Sequence, residues 1–351
     1  MPSYGSGQAA TSLDESEKVH EMEIIRIASY HRRGFDLAVA WTNPREHDRV
    51  LLGTIRDTSA TLGNLQCLPL EIIHEIFLLL DIRALFNFRH INRRAQQIVT
   101  VACGYKAVVT HALETLCIIL RTTIASWFTL SDLLKVLYTR DCHLCGSFGG
   151  FIFLPSFMRC CFFCIQEDSL PPVLPLSIVK KSAKSRPGHP NTLVPIVKSL
   201  PGIYSMDEIV RKRRVQIMSA EYFGRLPLHK ADDRTRATQE KETELLRYMV
   251  TTSLPYLNTE TGVIQNGISC SGCQIALEKA LRSSRTGPSS CALRDKVYSY
   301  DEFMQHFREC REAQKLWELS NQGVDVAKIS EFVRRRGYFK KRDVIMSFHS
   351  Q

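Results

Sequence analysis

Residues 68–81, with the sequence LPLEIIHEIFLLLD, constrain the fold more than any other segment of the chain. They predict a helix that starts near Pro69, because proline is tolerated in the first helical turn, where its missing N–H has no partner to lose. One apolar stripe at helical spacing consists of Ile72, Ile76 and Leu79. A second stripe beside it consists of Ile73, Phe77 and Leu80. A surface helix of a small domain needs one such stripe, so the second predicts contact with a partner.

Two more short helices are predicted directly after this segment. Asp81 is a suitable N-cap for a helix over residues 82–88, and a third helix near residues 92–99 carries Arg93 and Arg94. Three such helices bury too little apolar surface to be stable alone. The Leu-Pro start, the double stripe and the Asn-Arg-Arg end together resemble the F-box, in particular the F-box of fungal proteins, over residues 65–103.

The resemblance implies a protein-binding function. F-box domains dock on the Skp adaptor and through it on a cullin ubiquitin ligase, and the rest of the chain presents a protein substrate that the sequence does not name. The implied adaptor-binding residues are Leu68, Pro69, Ile72, Ile73, Ile76 and Leu80. We expect a receptor that is not an enzyme, because the sequence has no phosphate-binding loop, G-x-S-x-G, H-E-x-x-H or dinucleotide motif.

The bulk properties indicate a globular protein of two or three domains. The chain has 351 residues, of which 44% are hydrophobic and 23% are charged. No secretory signal and no uncharged apolar run of membrane-spanning length is visible, so we expect no membrane contact and a cytoplasmic or nuclear location. Twelve cysteines in such a reducing compartment indicate metal binding in preference to disulfides.

The first cysteine cluster has the spacing of a structural zinc site. Two C-x2-C pairs are separated by 15 residues, and two thiolates two residues apart can point to one ion from a tight turn. The predicted ligands are Cys142, Cys145, Cys161 and Cys164. Four protein ligands fill a tetrahedral metal ion, so we expect a structural zinc and not a catalytic one. The adjacent Cys160 could take the place of Cys161.

The second cluster combines a C-x2-C pair with a later helix. Ser299 and Glu302 predict a capping box, and the helix that they begin carries a histidine and a cysteine four residues apart. The predicted ligands of a second structural zinc ion are Cys270, Cys273, His306 and Cys310. Cys291 is the alternative fourth ligand.

The predicted fold is mainly α: a three-helix F-box, further helices, and two small zinc-stabilised α+β modules. Helices are expected over Glu15–Tyr30, over Met206–Met218, over Thr238–Thr251 and, capped by Ser131, over Leu133–Leu137. The expected parts are an N-terminal region at 1–60, partly disordered; the F-box at 65–103; a helical extension at 107–140; a zinc-knuckle module at 142–168; a Pro-rich linker at 169–205; a helical region with the second zinc module at 206–323; and a basic tail at 324–351.

Basic runs support an alternative function. The formal net charge is +10, and basic residues cluster at 211–214, 334–336 and 340–342, the last two runs flanking Tyr338 and Phe339. Such runs are compatible with nuclear import or with phosphate contacts, so the alternative is a zinc-dependent nucleic-acid-binding or regulatory protein. It is less favoured because no base-reading module is recognisable.

Overall fold

The computed structural model describes residues 7–42, 59–167, 169–184, 194–223, 242–283, 288–327 and 329–338. The chain divides into two compact units. Unit 1 combines Met1–Gly34 with Gly267–Gln351, and unit 2 is Phe35–Asn266. The F-box-like segment and the first cysteine cluster therefore lie in unit 2, and the second cysteine cluster lies in unit 1.

The described residues form a mainly helical fold with small sheets, as predicted. The helices are α1 (Gly7–Ala28), α2 (Arg33–Leu37), α3 (Leu70–Leu79), α4 (Ile82–Arg89), α5 (Arg93–Val101), α6 (Cys103–His111), α7 (Leu113–Arg121), α8 (Leu130–Leu137), α9 (Phe162–Gln166), α10 (Leu176–Lys184), α11 (242–249), α12 (Ser271–Arg282), α13 (Pro288–Asp295), α14 (Tyr300–Glu309), α15 (Arg311–Leu319) and α16 (Glu331–Arg334). The strands are β1 (Ser29–Tyr30), β2 (Phe151–Phe153), β3 (Met158–Cys160), β4 (Val173–Pro175), β5 (Val197–Lys198), β6 (Gly202–Tyr204), β7 (Ile209–Arg211), β8 (Gln216–Ser219), β9 (Thr251–Ser253), β10 (Tyr256–Leu257), β11 (Ile264–Gln265) and β12 (Ser269–Cys270).

The F-box-like segment folds as a short 3-10 helix at Gly63–Cys67 followed by α3, α4 and α5. Asp81 caps α4 by accepting a hydrogen bond from the Ala84 amide at 2.8 Å, and Asn92 caps α5 by accepting one from the Ala95 amide at 2.9 Å. Both carboxylate and amide oxygens satisfy N–H groups that a helix start leaves without intrahelical partners. The local sequence therefore sets where both helices begin.

The helical extension packs directly against this segment. The Ile82 amide donates to the Phe128 carbonyl at 2.9 Å, and the Leu130 amide donates to the Leu80 carbonyl at 3.3 Å. α6 approaches α8 so closely that a Cβ at Gly104 would lie 2.8 Å from Leu134 Cδ1. Thr129, and not Ser131 as predicted, caps α8 and forms a capping box with Asp132. The F-box-like segment thus shares its core with α6 and α8.

Residues 206–218 contain strands and not the predicted helix. β6 and β7 form an antiparallel hairpin in which Ile203 is opposite Val210, and β8 follows it. Ser205 and Glu208 have φ angles of 64° and 53° in the turn, which a helix does not allow. The basic run 211–214 therefore lies at the end of β7 and in the next loop. For the other predicted helix in this region, residues 242–249 are helical and residues 238–241 lie outside the described part.

The segment predicted to be a Pro-rich linker is partly folded. β4 and β5 both pair antiparallel with β8, at Val173↔Ser219 and Val197↔Ile217. α10 lies beside this three-stranded sheet, and Val179 and Met218 share a small core. The linker prediction is therefore corrected for these residues. Proline is disfavoured inside helices but is tolerated in a strand at the edge of a sheet, which is the position of β4. Residues 185–193 lie outside the described part.

Unit 1 joins the first helix of the chain to the C-terminal helices. β1 pairs antiparallel with β12, with Ser29 opposite Cys270. The shared core includes Ile24, Phe303 and Leu316 from α1, α14 and α15. α1 begins at Gly7 and not at the predicted Glu15, while residues 1–6 and 43–58 of the predicted N-terminal region lie outside the described part.

Among the described residues, no single helix meets the length and hydropathy that a membrane span requires. α6 and α7 meet them only as a pair, and the two helices are bent by 97° at their junction.

Candidate metal centres and partner-binding face

The first cysteine cluster is assembled in unit 2 from a turn and a helix start. Its four sulfurs, from Cys142, Cys145, Cys161 and Cys164, lie within 4.8 Å of one another. In the turn, the Gly146 amide donates to the Cys142 carbonyl at 2.9 Å. Gly146 has φ +72°, which favours glycine at this position. At the helix start, Cys161 is the N-cap of α9 and its sulfur accepts from the Cys164 amide at 3.4 Å.

The geometry of this cluster fits a tetrahedral metal ion. Metal–sulfur bonds of about 2.3 Å place the sulfurs of a tetrahedral site about 3.8 Å apart. The measured distances are 3.8 Å between Cys142 and Cys164 and 3.5 Å between Cys145 and Cys161. All four cysteines are free thiols at separations far longer than a disulfide bond of about 2 Å. The cluster could therefore hold a metal ion with four thiolate ligands.

A buried arginine fixes the surroundings of this cluster. Arg159, on β3, donates to the carbonyls of Gly149 at 2.7 Å, Val136 at 2.8 Å and Leu254 at 3.1 Å. Burial lowers the pKa of Arg159 to about 10, so the guanidinium stays charged at neutral pH. Val136 belongs to α8, which packs against the F-box-like segment. Arg159 therefore connects the turn that follows Cys145 to the helix that supports α3.

The second cluster lies in unit 1 and combines three sulfurs with one imidazole. Cys270 and Cys310 have sulfurs 3.7 Å apart, and the Cys273 sulfur lies 3.3 Å from His306 Nε2. All four ligand atoms lie within 4.8 Å of one another, so this cluster could also hold a metal ion. α14 ends at Glu309, so Cys310 does not continue the predicted helix. It occupies the bend between α14 and α15.

Packing around the second cluster limits which residues can occupy it and how they are oriented. A Cβ at Gly272, between the two cysteines of the C-x2-C pair, would lie 2.7 Å from Ala313 Cα, so this position requires glycine. The Tyr298 ring stacks on His306 at a centroid distance of 4.8 Å. The predicted capping box is present: Ser299 accepts from the Glu302 amide and Glu302 accepts from the Ser299 amide. These contacts orient the imidazole toward Cys273.

Each cluster stabilises a thiolate, which is the form that binds a cation. Hydrogen bonding with Cys161 lowers the pKa of Cys142 to about 4. In the second cluster, hydrogen bonding with Cys270 lowers the pKa of Cys310 far below the ordinary value of a thiol. Within the first cluster the thiolate form is therefore favoured at Cys142, whereas burial raises the pKa of Cys164 to about 12.

The alternative ligands lie outside both groups. Cys160 is fully buried on β3, where it is opposite Phe151, and Cys291 is exposed on α13. The structure brings together Cys161 and Cys310 instead. Of the isolated cysteines, Cys117 is buried, whereas Cys67 and Cys103 are exposed.

The outward face of α3 carries exposed apolar side chains at helical spacing. We call this set the apolar row; it consists of Ile72, Ile76 and Leu79 on α3 and of Pro69, the residue directly before α3. Leu79 is 77% exposed and Ile72 is 48% exposed. Contiguous exposed apolar groups on a globular protein mark surfaces that bind a partner.

The six predicted adaptor-binding residues divide between the two faces of α3. Pro69, Ile72 and Ile76 are exposed, while Leu68 and Leu80 are half-buried. Ile73 is only 5% exposed and lies with Phe77 on the inward face, so its assignment to the partner surface is corrected. Leu79 is the most exposed member of the row and was missed, although the spacing of Ile72, Ile76 and Leu79 could have identified it.

Comparison with protein families gives a match over the same segment of the chain. Residues 65–105 match the family model of the F-box domain. This segment is an F-box domain. F-box domains are generally non-catalytic receptors that bind the Skp adaptor of cullin ubiquitin ligases, so the F-box indicates adaptor binding. No curated protein and no solved structure matches the chain.

Several arginines of the basic runs have partners within the protein. Arg214 donates to the carbonyls of Ser199 at 2.8 Å and Lys198 at 3.1 Å. Arg335 pairs with Glu331 at 2.6 Å, and Arg334 pairs with the same glutamate. Residues 340–342 lie outside the described part. In the described part, these arginines stabilise local structure, and their contacts do not indicate a phosphate-binding groove.

Proposed function

We propose that this protein is the substrate-recruiting subunit of a Skp–cullin ubiquitin ligase. The apolar row of the F-box carries this proposal, because it is an apolar helix face that the described residues leave partly exposed, with Leu79 77% exposed. The F-box docks on the adaptor, and the cysteine-rich C-terminal part presents a protein substrate to the ligase. The protein itself performs no bond chemistry, and its location is cytoplasmic or nuclear.

We propose further that each cysteine cluster holds one structural zinc ion. Thiolates and imidazole are ligands that zinc prefers, and the distances in both groups fit a tetrahedral arrangement. All four positions of each site are filled by side chains, which leaves no open position for water or substrate. Zinc would therefore supply folding free energy to modules whose strands are two or three residues long.

Substitution of two exposed residues of the apolar row tests the docking proposal. Ile76→Asp combined with Leu79→Asp places two charges on the outward face and keeps the buried residues Ile73 and Phe77. We expect co-purification with the Skp adaptor and cullin to fall at least tenfold. Burial of each of these side chains in an interface contributes about 1.5–3 kcal/mol of binding free energy, which the charged variant loses.

A matched control lies in the same domain. Ile91 is 69% exposed in the turn between α4 and α5 and is not a member of the apolar row. Ile91→Asp should leave adaptor binding unchanged, and circular dichroism should show that all variants remain folded. Equal recovery of adaptor by the double variant and by Ile91→Asp would refute the docking proposal.

A further inference from the structure

The β6–β7 hairpin of unit 2 presents a second exposed apolar surface, separate from the F-box. We call it the hairpin patch; it consists of Ile203, Met206, Ile209 and Val210. Ile203 and Val210 are opposite each other in the ladder and are 51% and 60% exposed. Among the described residues, neither strand pairs with a third strand. An exposed two-stranded ladder with apolar side chains is a surface to which an extended peptide can add.

The hairpin is held firmly on the core, so the patch does not result from a loose loop. Tyr204, next to Ile203, is 1% exposed and its hydroxyl donates to the Leu200 carbonyl at 2.6 Å. At the turn, the Ser205 amide donates to the Ala38 carbonyl at 2.8 Å. One strand residue is thus buried while its neighbours along both strands remain exposed.

The segment 38–42 runs beside the hairpin and contributes an exposed aromatic residue. Its Ala38 carbonyl accepts from Ser205, and its Thr42 hydroxyl accepts from Arg121 at 2.9 Å. The Arg121 carbonyl in turn accepts from Arg214, which follows the hairpin. Trp41 lies in this segment and is 43% exposed. Tryptophan is enriched among the residues that dominate binding energy at protein interfaces.

Charge at the base of the hairpin indicates the chemistry of the partner. Of the basic run 211–214, Arg211 lies 3.6 Å from Glu242 and Arg214 donates to backbone carbonyls, so these two are engaged within the protein. Lys212 and Arg213 are exposed directly after β7. An anionic group next to the apolar side chains of the partner would meet these two cations.

We propose that the hairpin patch binds an extended peptide segment that carries apolar side chains followed by acidic residues. This inference rests on the proposed function, since it names the class of substrate segment that the receptor recruits. The apolar side chains pack on Ile203 and Val210, and the acidic residues pair with Lys212 and Arg213. Asp207 and Glu208 lie at the turn and would repel acidic residues there. The acidic residues of the peptide therefore lie at the open end of the hairpin, near Lys212 and Arg213.

Binding of two designed peptides to the full chain, measured by fluorescence anisotropy without the Skp adaptor, tests this proposal. Both peptides contain the same four valines alternating with threonine, and they end in three glutamates or in three lysines. We expect the glutamate peptide to bind at least tenfold more tightly than the lysine peptide. Ile203→Ser with Val210→Ser should abolish this binding, and Lys212→Glu with Arg213→Glu should reverse the preference.

The controls separate this inference from the docking of the F-box. Leu319→Ser with Val324→Ser removes two exposed apolar side chains of unit 1 and should change neither peptide affinity. The hairpin variants should keep full adaptor binding, so a failure here leaves the adaptor result unaffected. Equal affinity for both peptides, no binding of either, or a dimer of the chain that Ile203→Ser with Val210→Ser dissociates would each overturn the proposal.

Discussion

The F-box helix α3 and the two cysteine clusters differ in the direction of their key side chains. α3 buries Ile73 and Phe77 but leaves Ile72 and Leu79 exposed, so it has more apolar surface than its own unit covers. In each cluster the four ligand atoms point toward one another, in modules with very short strands. Changes to the apolar row should therefore affect partner binding, and changes to the clusters should affect stability.

The two clusters, in contrast, use the same local motif in different units. In each, one cysteine of a C-x2-C pair is the N-cap of a helix: Cys161 for α9 and Cys270 for α12. In each, the amide of the second cysteine donates to the sulfur of the first at 3.4 Å. The motif orients two sulfurs in each site, so the same spacing recurs although the remaining ligands differ.

The largest expected effect is the loss of a metal ligand. Cys142→Ser and Cys270→Ser should each remove one of about two zinc ions per chain, as measured by elemental analysis. Structural zinc supplies on the order of 10 kcal/mol of folding free energy, so each variant should also unfold at a much lower temperature.

Cys291→Ser is the matched control, because Cys291 is exposed and lies outside both clusters. It should retain both ions and the melting temperature. A full-length protein that is stable and free of metal would contradict the role of the clusters.

A smaller effect is expected at Arg159. Arg159→Ala leaves three buried carbonyls without their charged donor, and we expect a loss of about 4 kcal/mol in the free energy of unfolding, measured with urea. Arg140→Ala is a suitable control, because Arg140 is half-exposed and its ion pair is with the adjacent Asp141. If both variants lost the same small amount, Arg159 would not connect α8 to the first cluster.

The smallest effects should separate the two faces of α3. Ile73→Ala should lower the free energy of unfolding by about 3 kcal/mol, because it creates a cavity in the core. Ile72→Ala should cost less, on the order of 1 kcal/mol, because about half of its side chain is already exposed. The affinity for the adaptor should show the reverse order, with the larger loss for Ile72→Ala. Equal losses of stability in the two variants would mean that the two faces of α3 are not distinct.

Local chemistry made much of this structure predictable. The caps at Asp81 and Ser299 were predicted from neighbouring residues, and the C-x2-C spacing pointed to both candidate ligand groups. In contrast, the pairing of Val173 with Ser219 is distant in sequence, so the sheet in the Pro-rich region was not visible. The orientation of α3 was also undetermined, because its two apolar stripes are equivalent until α8 packs against one of them.

Hydroxyl-radical footprinting of the full chain tests the central claim most directly. We expect Ile72, Ile76 and Leu79 to be modified readily in the free protein and to become protected when the Skp adaptor is added. Ile73 should be protected in both states. Protection of the apolar row before the adaptor is added, or no change after it is added, would contradict the claim that this face is a docking surface.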